Sequence, residues 1–216
     1  MSGLNGARFL DDRSADHILK DVVLGRHCRH KKNRFRFYAL KLCGWIFVVF
    51  LLQLFVNGFT ELFLLDSSSF TQIWRFFTAI FLHGGIAHLL YNVFALALFG
   101  SMLERFIGGK RFLIVFFVTG ILANVVSVNF YGSSLGASGA IFGVIGTLIF
   151  IKPLMFVWAF GFPMPLFVAG IIWITGDLMG FFYATGSNVA NLAHLSGMFF
   201  GILFGFIYRK KLIRLK

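Results

Sequence analysis

The sequence predicts an all-α integral membrane protein with six membrane-spanning helices and both termini cytoplasmic. Three observations predict it. The 216 residues are 58% hydrophobic and 13% charged, with a mean hydropathy of +0.84, whereas soluble domains run near half apolar and about a quarter charged. The chain without its tails, divided by the roughly 20 apolar residues that span a bilayer as a helix, gives about six spans. Both ends are basic: residues 1–37 hold nine Lys/Arg against four Asp, and 209–216 (RKKLIRLK) hold five bases and no acid. Each tail therefore carries net +5, which places both on the cytoplasmic side and makes the number of spans even. Three segments follow: a basic tail 1–37, a membrane domain 38–208 and a basic tail 209–216.

Each span is justified in turn. The first, about 42–58 (LCGWIFVVFLLQLFVNG), starts too late and runs too long for a cleaved signal peptide. Residues 59–85 mix Glu61, Asp66 and Ser67-Ser68-Ser69 with apolar turns, and read as an outer loop lying partly in the interface. The second span, about 86–103, returns to a basic inner turn at Arg105, Lys110 and Arg111. A third, about 112–130, exits at the uncharged turn 131–134, and a fourth runs from near Gly136 to Lys152-Pro153, where proline stops it. Residues 154–165 are apolar but broken by Gly161, Pro163 and Pro165, so the fifth span is placed at about 164–182 and the sixth at about 192–208. Absence of an internal repeat argues against a transporter built from inverted halves.

Other classes fit poorly. The bases flank apolar spans instead of lining a groove, which speaks against nucleic acid as a partner. Cys28 and Cys43 make no disulfide framework, and His27-Cys28-Arg29-His30 lacks zinc-module spacing and sits among bases. No cofactor or metal is expected.

Polar side chains inside spans are costly and mark function by default. The topology puts His88, Asn92, Ser138 and His194 in the first turns of spans two, four and six, all at one depth. Ser138 opens a helix within Gly136-Ala137-Ser138-Gly139-Ala140, where unpaired N–H groups and the dipole favour a developing oxyanion. Gly139 with Gly143, and Gly197 with Gly201 and Gly205, form small-residue stripes that bring helix backbones together, and His194 shares a face with Gly197. A serine meeting a histidine in a desolvated pocket is a nucleophile with its general base. Each residue also has a plainer reading. Ser138 can cap its helix, the glycines can merely pack, and His88 and Asn92, four apart, can be interhelical polar glue instead of oxyanion donors. His83 is expected to support the outer loop through a hydrogen bond. Asp177 is either a third triad member orienting His194 or a solvated span terminus.

At this point the residues resemble the rhomboid intramembrane serine proteases. Gly136-Ala137-Ser138-Gly139 with Phe142-Gly143 resembles the nucleophile motif, Ala193-His194-Leu195-Ser196-Gly197 the general-base motif, and residues 83–92 (HGGIAHLLYN) the histidine-asparagine element. Trp74-Arg75 resembles the outer-loop dipeptide, and Glu104 followed by Gly108 the turn after the second span. The resemblance covers about residues 70–205, with Ser196 where a second glycine is common. It implies a six-helix core that hydrolyses peptide bonds in or near transmembrane segments of single-span or other membrane-protein substrates, without a required aspartate. Under it Ser138 is the nucleophile and His194 the base and acid. His88, Asn92 and the Ser138 backbone N–H form the oxyanion site, Phe142 packs on the imidazole, and Gly136 and Gly197 support the site. Trp74-Arg75 would embed in the outer leaflet, and a water-accessible cavity roofed by residues 184–191 would be required. Substrates with helix-destabilising, small residues would be favoured. A catalytically silent relative that binds membrane clients is the main alternative, and a prokaryotic plasma membrane is the expected location.

Overall fold

The computed structural model describes residues 36–183 and 190–213, with side chains to 209. In hydrocarbon every backbone N–H and C=O must be paired within the protein, so apolar stretches become helices. In chain order these are α1 (Tyr38–Phe55), α2 (Phe59–Phe63), α3 (Arg75–Thr78), α4 (Ile86–Ala95), α5 (Ser101–Ile107), α6 (Gly109–Ser127), α7 (Ser138–Ile151), α8 (Leu166–Tyr183) and α9 (Asn191–Ile213). A π-helical turn, Leu96–Gly100, joins α4 to α5, so Ile86–Ile107 acts as one long rod. Among the described residues, α1, this rod, α6, α8 and α9 are long and apolar enough to cross a membrane. The protein is a mostly helical, multi-pass integral membrane protein.

α7 departs from the expected span near 136–152. Its 14 residues rise about 21 Å, short of the roughly 30 Å hydrocarbon thickness. The chain before it is held out of helix. Ser133–Ser134 (β2) pairs antiparallel with Leu65–Asp66 (β1), and the Gly136 N–H donates to the Ala79 carbonyl at 2.8 Å. Gly136 has φ +125°, and a Cβ there would run into the His88 ring, so this glycine is required by conformation and by space. Non-helical backbone at membrane depth is tolerated where it is bonded or lines a cavity, and α7 can begin only at Ser138.

Two other stretches are more ordered than their composition suggests. Residues 59–85 hold α2, β1, a 3₁₀ turn (Ser67–Phe70) capped by the Asp66 side chain, α3 and a second 3₁₀ turn (Ala79–Phe81). Residues 156–165 form a hairpin, β3 (Phe156–Ala159) with β4 (Phe162–Pro165). Phe160 and Gly161 turn it at φ +54° and +84°, the conformation a two-residue hairpin turn demands. Both prolines lie on β4, where an edge strand tolerates their missing N–H groups.

The densest packing is between α7 and α9. A Cβ at Gly197 would strike the Gly139 carbonyl, one at Gly201 the Gly143 carbonyl, and one at Gly146 the Met198 carbonyl. Thr147 Oγ1 bonds the carbonyls of Gly143 (2.9 Å) and Gly201 (2.8 Å) across this seam. Helices in lipid gain little from apolar burial, so close backbone approach and interhelical hydrogen bonds must hold them. At the opposite end of the bundle, buried Glu104 accepts from the backbone N–H groups of Arg36 (2.9 Å) and Ala39 (3.1 Å) and so caps the start of α1.

Candidate active site

A cavity of about 1200 Å³ opens between α4, α7, α8 and α9, and Ser138, His194, His88, Asn92, Gly136 and Phe142 all line it. α7 presents Ser138 as its first residue, where backbone N–H groups have no intrahelical partner. The glycine seam brings α9 close enough for His194 Nε2 to lie 2.9 Å from Ser138 Oγ. Phe142, one turn beyond Ser138, stacks on the imidazole with ring centroids 4.4 Å apart and planes 3° from parallel. On its other edge, His194 Nδ1 lies 3.0 Å from Asp177 Oδ1, and Asp177 is buried. A hydroxyl that meets an imidazole oriented by a carboxylate can pass its proton to that imidazole.

His88 and Asn92 face the same cavity from α4. His88 Nδ1 accepts from the Gly84 N–H at 3.4 Å, so the neutral ring carries its proton on Nε2. Gly136 packs against that side of the ring. Asn92 Nδ2 donates one hydrogen to its own helix at the His88 carbonyl, 2.8 Å away, which orients the amide and leaves its second hydrogen as a donor.

His83 supports the loop. Its backbone N–H donates to Gln53 Oε1 (2.9 Å), its Nδ1 meets the Phe81 carbonyl (3.2 Å), and its ring lies 5.0 Å from that of His88. Burial pushes the His83 imidazole down to about 4, with neighbouring His88 adding to the effect, so it is neutral near pH 7.

Some expected residues lie elsewhere. Trp74 is exposed, and buried Arg75 pairs with Asp66 Oδ2 at 2.6 Å. Neither lines the cavity. The Ser68 hydroxyl and backbone, and then Arg75, hold the Asp66 carboxyl below its usual range. Gly197 sits in the α7–α9 seam behind the pair. Of the expected roof at 184–191, residues 184–189 lie outside the described residues, as do the His27–His30 cluster and residues 1–35. Among the described residues, no three His, Cys, Asp or Glu side chains gather as metal ligands.

The family model of the Rhomboid domain matches residues 71–211. The chain belongs to the rhomboid family. It is 39% identical over 132 residues to rhomboid protease GluP of Bacillus subtilis, which covers 59% of this chain and 24% of that protein. It is 33% identical over 138 residues to RHOMBOID-like protein 7 of Arabidopsis thaliana, covering 63% and 43%. Rhomboid protease GlpG of Yersinia pestis is 27% identical over 151 residues, covering 65% and 50%. The matches thus span between about a quarter and a half of these relatives' own lengths. They join bacterial and plant proteins, so they do not support the expected prokaryotic location.

Several rhomboid site residues here escape a reading of the sequence. Trp158, Phe160 and Trp173 form the far wall of the cavity. The exposed aromatics of the Pro-broken stretch were the available signal, but nothing local shows that the hairpin folds back along α8. Asn191, first in α9, has its amide oriented by its neighbours: the nitrogen donates to Asp177 Oδ1 at 2.9 Å and the oxygen accepts from the Phe181 N–H at 3.2 Å. Tyr131 accepts from the Leu192 N–H at 3.0 Å and ties the start of α9 to the segment leaving α6.

Proposed function

We propose that this rhomboid is an active intramembrane serine protease that hydrolyses peptide bonds in or near transmembrane segments, with α7 as a short sixth span and both basic tails cytoplasmic. The observation that carries this reading is the 2.9 Å contact between Ser138 Oγ and His194 Nε2 inside a cavity, with the imidazole pinned by the Phe142 ring. Nε2 takes the Oγ proton as Oγ bonds to the scissile carbonyl carbon. Negative charge moves to the carbonyl oxygen, where the Ser138 backbone N–H, the His88 Nε2–H and the Asn92 amide are the available donors. The imidazolium then returns its proton to the leaving amine as the C–N bond breaks. Water, deprotonated by the same nitrogen, releases the acyl group and restores the serine hydroxyl.

A helical segment keeps its carbonyls bonded and its backbone shielded, so it must unwind before Ser138 can reach a peptide bond. Segments with helix-destabilising residues and small side chains at the bond are the substrates this crowded Gly/Ala entrance suits. The test is labelling of detergent-solubilised protein with a fluorophosphonate probe, which bonds only to an activated serine. Wild type is expected to label, and Ser138→Ala and His194→Ala to lose labelling while remaining folded. A folded wild type that stays unlabelled in several lipids would favour a silent client-binding protein instead.

A further inference from the structure

We propose that Asp177 is a positioning residue for His194, clamped in place by Asn191, so that the nucleophile is served by an oriented base and not by an unsupported pair. This inference rests on the serine-protease reading above. The geometry comes from three helices: Ser138 on α7, His194 and Asn191 on α9, and Asp177 on α8. An ionised carboxylate only accepts hydrogen bonds. At 3.0 Å from Asp177 Oδ1, Nδ1 of a neutral imidazole must therefore be the protonated nitrogen. That leaves Nε2 with a lone pair 2.9 Å from Ser138 Oγ, the only tautomer in which His194 can accept the hydroxyl proton.

The carboxylate is itself held. The Asn191 amide nitrogen reaches Oδ1 at 2.9 Å, while its oxygen accepts from the Phe181 N–H. Gly180 provides the room, since a Cβ there would lie 2.6 Å from the Asn191 side-chain amide. Asp177 is 8% exposed, so its carboxylate is not a solvated helix terminus. Its Oδ1 serves both the imidazole edge and the Asn191 amide. Among the described residues, Asp177 from α8 and His88 from α4 face His194, Phe142 lies on its face, and Tyr91 and Tyr131 line the same cavity. Among the described residues, no Lys, Arg or Glu lines the cavity.

Labelling by the fluorophosphonate probe, followed as a rate against probe concentration, tests this in the full chain. Asp177→Asn, of equal size, should lower the maximal rate by about 100-fold or more and leave the half-saturating probe concentration within about twofold of wild type, because an amide that turns its nitrogen to Nδ1 favours the wrong tautomer. Asn191→Ala should lower the maximal rate about five- to tenfold. Asp177→Asn within twofold of the wild-type rate would overturn the proposal. So would a loss of rate matched by a lowered melting temperature, which is the signature of a merely structural aspartate. A folded wild type that never labels would overturn the underlying nucleophile assignment, and the positioning role with it.

Discussion

The two walls of the cavity are built differently. α7 buries ten of its 14 residues and meets α9 glycine against backbone. α8 buries only Leu166, Ala169, Gly170 and Asp177 of its 18, and turns Ile171, Leu178 and Met179 outward. α4 likewise exposes Ile86, Leu90, Tyr91 and Phe94, and the loop leading into it is tied by the Gln53–His83 hydrogen bond. The serine and the histidine thus stand on the tightly packed wall, and on the proposed protease reading the groups that would face an incoming segment stand on the sparsely packed one. A nucleophile and its base must keep their separation within a few tenths of an ångström. A surface that admits a transmembrane segment needs the opposite property.

This contrast can be broken at the seam. Gly201→Val would place a side chain against the Gly143 carbonyl, and overpacking of this kind costs about 3 kcal/mol or more. Labelling of Ser138 and the cooperative melt in detergent should both be lost, and a folded, labelled Gly201→Val protein would show that the seam is not rigid.

The other wall should be the pH-sensitive one. His83 is held neutral, with its imidazole pushed down to about 4 from an ordinary 6.5. Because the unfolded chain binds the proton more tightly, stability is fully present above pH 6.5 and is lost as pH falls toward 4. The loss between pH 7.5 and 5 should be about 2 kcal/mol, read as a falling melting temperature that His83→Gln flattens. An equal slope in His83→Gln would assign the effect to other groups. The smallest effect should come from the lipid-facing side of α8. Ile171 is 59% exposed, so Ile171→Ala should shift stability by less than about 0.5 kcal/mol, and a larger shift would mean that this face of α8 is covered by a packing partner.

Much of the fold was legible because hydrophobicity and charge are local quantities. The apolar runs place five long helices to within a few residues, and Ser138, His194, His88 and Asn92, expected at one depth, line one cavity. α7 starts two residues later than expected, at Ser138, because the segment before it is bonded to β1 and to Ala79, far away in sequence, which no local pattern shows. The hairpin at 156–165 was missed since its Gly and Pro read as breakers when taken alone, although Phe160-Gly161 makes a two-residue turn.

By itself the sequence determined that this chain lives in a bilayer, which segments are helical, and which polar side chains are too costly there to be incidental. Composition, period and charge decide those matters one segment at a time. Only the tertiary structure decided between the two readings of Asp177, a solvated terminus or a partner of His194. Seventeen residues separate them in the chain, and their 3.0 Å contact exists because α8 crosses the start of α9 with Asn191 bridging the two helices.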